Sequence, residues 1–205
     1  MRFIATFISY VLHPLLMPTL LFLILMIFLP EALQPISGKI TLYILLLIFI
    51  TTFIIPVFSI LGLRTTKTIS SMRLENRAER ILPFTFITIF YGMTTYLFHS
   101  KIEINNLILS IFIGATLLVA LLTIITVFFK ISVHAAGAGC MMGYLLAIMQ
   151  LFPDQQLLAA FIIIIIISGL VLSARLYLNA HTSIEAYSGF FIGLTISFLS
   201  IYLLF

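Results

Sequence analysis

Apolar residues run through this chain in stretches as long as a bilayer is thick, interrupted only by short polar segments. The hydrocarbon core of a membrane is about 30 Å across and takes about 20 apolar residues to cross as a helix. No water is available inside it, so every backbone N–H and C=O must be paired within the chain, which leaves helices and closed barrels. The runs are continuous rather than alternating, and continuous runs read as helices. Charge agrees: Asp, Glu, Lys and Arg make up 8% of the 205 residues, against about 25% in a soluble domain. The sequence therefore predicts an all-α polytopic transmembrane bundle of about seven helices, with six as the alternative. It reads as a single integral membrane domain over residues 1–205.

The single cysteine, Cys140, excludes an intramolecular disulfide framework and sits among small and apolar residues, where a thiol serves as packing. The first apolar segment is too long for a signal-peptide core, and no Ala-x-Ala-type site follows it, so no cleaved leader is expected.

Helices are expected over 3–29, bent by Pro14 and Pro18; over 40–63, with Pro56 inside; over 83–98; over 105–129; from the 130–134 junction to 152; over 155–173; and from the 175–185 junction to 205. Folded back and forth, this order puts residues 64–80, 130–134 and 175–185 on one face together with Met1. Eight of the ten Lys and Arg residues fall there: Arg2, Arg64, Lys67, Arg73, Arg77, Arg80, Lys130 and Arg175. His134, His181, Glu75, Glu79 and Glu185 join them, while Lys39, Lys101, Glu31, Glu103, Asp154 and His99 take the other face.

Ionisable groups at membrane depth are costly and usually mark function. His181 and Glu185 are four residues apart and share a face if helical. The carboxylate can then take a hydrogen bond from one ring nitrogen and leave the other free to attack. Arg175 adds a planar fork suited to phosphate. Ser132 and His134 stand just before a helix start, whose free N–H groups suit an anion. Arg73 and Arg80 are seven apart and share a side if their loop is helical. Together these residues describe a phosphate site in which one histidine attacks phosphorus, the other protonates the leaving oxygen and the arginines neutralise the phosphoryl oxygens.

The three segments resemble the signature motifs of the type 2 phosphatidic acid phosphatase superfamily, which includes lipid phosphatases and vanadium haloperoxidases. That pattern is Lys-x6-Arg-Pro, Pro-Ser-Gly-His and Ser-Arg-x5-His-x3-Asp. Here it reads Arg73-x6-Arg80, Ile131-Ser132-Val133-His134 and Ala174-Arg175-x5-His181-x3-Glu185, all within residues 73–185. The resemblance implies phosphate binding by Arg73, Arg80, Ser132 and Arg175, with His134 as general acid, His181 as nucleophile and Glu185 as its orienting carboxylate. It departs from the pattern at Arg73 (for lysine), Ile81 and Ile131 (for proline), Val133 (for glycine), Ala174 (for serine) and Glu185 (for aspartate).

The expected activity is metal-independent hydrolysis of a lipid phosphate monoester or diphosphate through a phosphohistidine, on a polyprenyl diphosphate, phosphatidylglycerol phosphate or phosphatidate. No cofactor is called for. The expected partners are the lipid substrate and membrane lipids, without nucleic acid. A metal site of His134, His181 and Glu185 is disfavoured, because nearby arginines repel a cation. The alternative is a non-catalytic transporter or scaffold retaining an anion site; transporters often carry internal repeats, and none is found here.

Other polar residues have plainer readings. Arg2, Arg64, Lys67 and Lys130 read as snorkelling anchors, Arg77 and Glu79 as a solvated loop face, and His13 and His99 as structural or interfacial. Ala135, Gly139 and Gly143 form a small-residue stripe for close helix packing that holds His134 in place.

Setting aside the three phosphate-site arginines, five basic residues lie on the site face against two opposite, which points that face to the cytoplasm. The resemblance points the other way, since many bacterial relatives work on the outer face. Charges that serve a phosphate site are a biased sample for the topology rule, so a bacterial cytoplasmic membrane with the site outward is expected.

Overall fold

The computed structural model describes residues 2–72, 74, 76–102, 104–153 and 155–205, with Gln155 and Gln156 described by their backbone. Among the described residues the chain is helical and has no strand: α1 (Arg2–Val11), α2 (Met17–Phe28), α3 (Lys39–Phe49), α4 (Ile55–Thr65), α5 (Ile81–Lys101), α6 (Asn106–Phe128), α7 (Val133–Leu151), α8 (Gln155–Tyr177) and α9 (Ser183–Leu204). These make seven segments long and apolar enough to cross a membrane, with α1–α2 and α3–α4 each forming one. The protein is an all-α, multi-pass membrane bundle.

Proline shapes the first two spans. Pro14 pushes the residue before it out of the helical region, and His13 is extended, at φ −67° and ψ 134°. A 3-10 turn, Pro14–Leu16, follows. The first span is thus broken into two helices rather than bent as one. In the second span Pro56 lacks an N–H and crowds the turn before it. The helix accommodates it with a π-helical turn over Ile50–Ile54, where Thr51 and Thr52 hydroxyls donate to the carbonyls of Leu47 and Ile48 at 2.9 and 2.8 Å.

Side chains set the later helix starts. Asn105 caps α6, accepting from the Ile108 N–H at 3.0 Å, and its amide donates to the carbonyls of Ala32 and Gln34 at the turn after α2. Ser132 caps α7 and Thr182 caps α9. The described part of residues 66–77 is not helical. Arg73, Met1, Glu75, Glu103 and Asp154 lie outside the described residues. Arg77 and Glu79 hold this loop rather than merely facing water. Glu79 accepts from the Ser70 N–H and hydroxyl at 2.9 and 2.8 Å, and Arg77 donates to the Phe128 carbonyl.

The most buried span is α7. It packs on α8 and α9 and on the Pro14–Leu16 turn, while α5 pairs with α6 and α1 with α8. Hydroxyls stitch α5 to α6 through Thr95–Thr116 at 2.9 Å and Thr88–Thr123 at 3.1 Å. The small-residue stripe works as expected. A methyl group on Gly139 would overlap the Phe190 carbonyl of α9, and one on Gly193 would overlap the Ala136 carbonyl of α7. The two backbones therefore touch, which only glycine permits at those points.

Candidate active site

A cavity of about 810 Å³ opens among α1, α2, α5, α6 and α7. Its wall includes Arg2, Arg80, Lys130, His134, Arg175 and His181, and no carboxylate among the described residues. It also follows α7 from His134 to Tyr144, ten residues or about 15 Å of helix. Along that depth the wall is apolar, with Leu21, Phe84, Ile87, Ile111, Leu118 and Met141. Arg2 shares this cavity with the other basic groups, so the start of α1 lies on their face. Arg2 and Lys130 are thus part of the cavity wall as well as residues at helix ends.

The spacing from Arg175 to His181 has a local cause. Helix α8 runs to Tyr177, past the expected end at 173, so Arg175 sits in its last turn. Asn179 then takes a left-handed conformation, φ 52°, which asparagine tolerates better than most residues. The Ala180 N–H reaches the Arg175 carbonyl at 3.2 Å and the Asn179 N–H the Leu176 carbonyl at 3.0 Å, the pattern of a Schellman stop. Five residues therefore end one helix and turn the chain back.

His181 and Glu185 meet, but not as neighbours on a helix face. Thr182 caps α9, so His181 lies before the helix and Glu185 in its first turn. Glu185 bends back as the acidic half of a capping box. Its Oε2 accepts from His181 Nδ1 at 2.9 Å and from the Thr182 N–H at 3.2 Å. A carboxylate only accepts, so Nδ1 carries the ring proton and Nε2 keeps a lone pair. Burial holds this imidazole below its ordinary pKa; the Glu185 hydrogen bond opposes that, and Arg80 and Arg175 add to it.

The second imidazole is fixed from α1. His134 Nε2 lies 3.1 Å from the Ser9 carbonyl, which can only accept, so Nε2 carries a proton. Proton exchange at His134 is thereby confined to Nδ1. The Ser9 hydroxyl accepts from Arg175 Nη1 at 3.4 Å, and this one residue steadies both groups.

The arginines differ. Arg80 is buried and donates from Nε to the Leu74 carbonyl at 2.7 Å and from Nη1 to the Ile131 carbonyl at 3.0 Å. Of a guanidinium's five N–H groups, three have no acceptor among the described residues. Arg175 has only the Ser9 contact among the described residues, and its buried Nε has no partner. Ser132 is fully buried and outside the cavity wall. Its hydroxyl accepts from the Ala135 N–H at 3.4 Å, and its own N–H donates to the Glu185 carbonyl at 3.1 Å. It fixes the start of α7 next to Glu185 instead of facing the cavity. Arg73 is outside the described residues.

Two polar wall residues outside the three motifs touch the motif groups. Ser9 is one and His13 the other, its ring 5.4 Å from that of His134 and nearly perpendicular to it. The signal for His13 was a polar residue at a proline break inside an apolar run. Among the described residues no three His, Cys, Asp or Glu side chains gather as metal ligands. Comparison with family models, with curated proteins and with solved structures finds no match for this chain.

Proposed function

We propose that this protein is a membrane phosphatase that hydrolyses a phosphate monoester or diphosphate on a lipid. The observation that carries the reading is the cavity, which joins a cationic wall, without carboxylates among the described residues, to an apolar wall at membrane depth. A phosphorylated head group suits the first part and a hydrocarbon chain the second. Arg80 and Arg175 have N–H groups left for the phosphoryl oxygens. His181 Nε2 attacks phosphorus as the bond to the lipid oxygen breaks. That oxygen takes a proton from His134 Nδ1, protonated beforehand. Water then attacks the phosphohistidine, its proton returns to His134, and phosphate leaves.

Arginine does the charge neutralisation here that a divalent cation does elsewhere. Purified protein in detergent should release phosphate from polyprenyl diphosphate, phosphatidylglycerol phosphate or phosphatidate with chelator present, and vanadate should inhibit by mimicking five-coordinate phosphorus. Activity lost to chelator and restored by metal would contradict the mechanism. No release from any of these lipids would favour the non-catalytic reading of an anion site.

We also propose that the cavity opens to the outer face of a cytoplasmic membrane. With seven spans, a reporter fused after Phe205 then lies in the cytoplasm; a reporter found outside reverses the orientation.

A further inference from the structure

His13 is placed as if it held a ligand, and nothing in the proposed hydrolysis uses it. Its Nδ1 accepts the Leu15 N–H at 3.3 Å, closing the Pro14–Leu16 turn. A backbone N–H can only donate, so Nδ1 is the acceptor and the ring proton is on Nε2. Among the described residues that Nε2–H has no acceptor, although the residue lines the cavity beside Arg175, His134 and His181. The three imidazoles are thus set differently by their partners. His181 offers a lone pair at Nε2, and His134 exchanges protons at Nδ1. His13 presents a neutral N–H.

Resting on the phosphatase reading, we propose that His13 is a further phosphate-binding residue, donating a hydrogen bond from Nε2 to a phosphoryl oxygen of the bound head group. No proton is transferred. Its lone pair is committed to the backbone, so the group remains a donor, and among the described residues the cavity wall offers no carboxylate to take that donor away. The proline break that frees the chain from helix at His13 is what allows the ring to cap the turn with one nitrogen and face a ligand with the other.

The bland role, capping the turn, and the proposed one use opposite ring nitrogens, so two substitutions separate them. The amide oxygen of Asn stands near where Nδ1 does and the amide nitrogen of Gln near where Nε2 does. His13→Asn keeps the cap and loses the donor; His13→Gln keeps the donor and loses the cap. Affinity for inorganic phosphate and for vanadate is read from ligand-induced thermal stabilisation of the full chain in detergent, and turnover is measured on the lipid substrate. His13→Asn should melt as the wild type does and bind both anions roughly 10- to 100-fold more weakly, the worth of a hydrogen bond to a charged group. His13→Gln should melt lower yet bind within about threefold of wild type.

Wild-type affinity in His13→Asn, or equal weakening in both variants, overturns the proposal. Because the anions are bound without turnover, the two claims fail separately. A wild type that binds phosphate but hydrolyses no lipid sinks the phosphatase reading and leaves His13 to be judged on affinity. A wild type that binds neither anion sinks both.

Discussion

His181→Ala should abolish the phosphoenzyme and lower phosphate release by about 10⁶-fold, the scale of removing a nucleophile that acts as a unit with its partners. The expectation rests on one ring nitrogen tied to Glu185 at 2.9 Å and the other left with a lone pair. Rapid quenching with radiolabelled lipid phosphate should trap acid-labile label on the wild type and none on the variant. Label persisting in His181→Ala would move the nucleophile to His134. The same enzyme should show its acid limit low on the pH scale. Burial depresses the His181 pKa, so the neutral, attacking form persists below the ordinary imidazole value of about 6.5. In kcat/KM, which reports the free enzyme, activity should therefore be kept as pH falls through 6.5 and be lost only below it. A limb above that value would show His181 charged at rest and unable to attack.

Gly139→Ala and Gly193→Ala should each destabilise the bundle by about 3 kcal/mol or more, the upper end of overpacking costs. In both cases the added methyl group meets a main-chain carbonyl of the facing helix, Phe190 or Ala136. Such a contact cannot be relieved by a rotamer change, so α7 and α9 must part. Activity should fall with stability, since Ser132 and Glu185, hydrogen bonded at 3.1 Å, stand at the starts of these two helices. Gly169 is the contrast. A methyl group there meets nothing within 4 Å, and alanine should gain about 0.5–1 kcal/mol from helix propensity. Unfolding in mixed detergent micelles measures all three; a Gly139→Ala protein as stable as wild type would mean that the helices do not touch there.

The spans were legible because burial in lipid demands apolar length, and length is counted directly in a sequence. Boundaries were less so. Arg175 looked like the start of a loop because a charged residue follows an apolar run, yet Leu176 and Tyr177 carry the helix on until Asn179 turns it. The His181–Glu185 contact was read from spacing, while its form was not: a helix face and a capping box place residues i and i+4 together equally well. Ser132 shows a similar ambiguity, since a hydroxyl ahead of a helix can serve an anion or the helix itself. Ser9 was hidden for a different reason. Ser9 reaches His134 across 125 positions, and contacts of that range depend on which helix faces meet. Proline positions announced both interruptions, but not that one would open a break and the other a π-helical turn.

The glycine contacts also bear on the order in which such a chain is completed during synthesis. Of the seven spans, α7 has the lowest mean hydropathy, 1.2, and Gly139 and Gly143 of its stripe are covered by a helix made two spans later. While translation continues, that stripe faces lipid or whatever attends the growing chain. The last span closes over it, and in the same movement the turn before α9 brings His181 and Glu185 alongside the start of α7. His181 and Glu185 thus join the start of α7 only once α9 is in place.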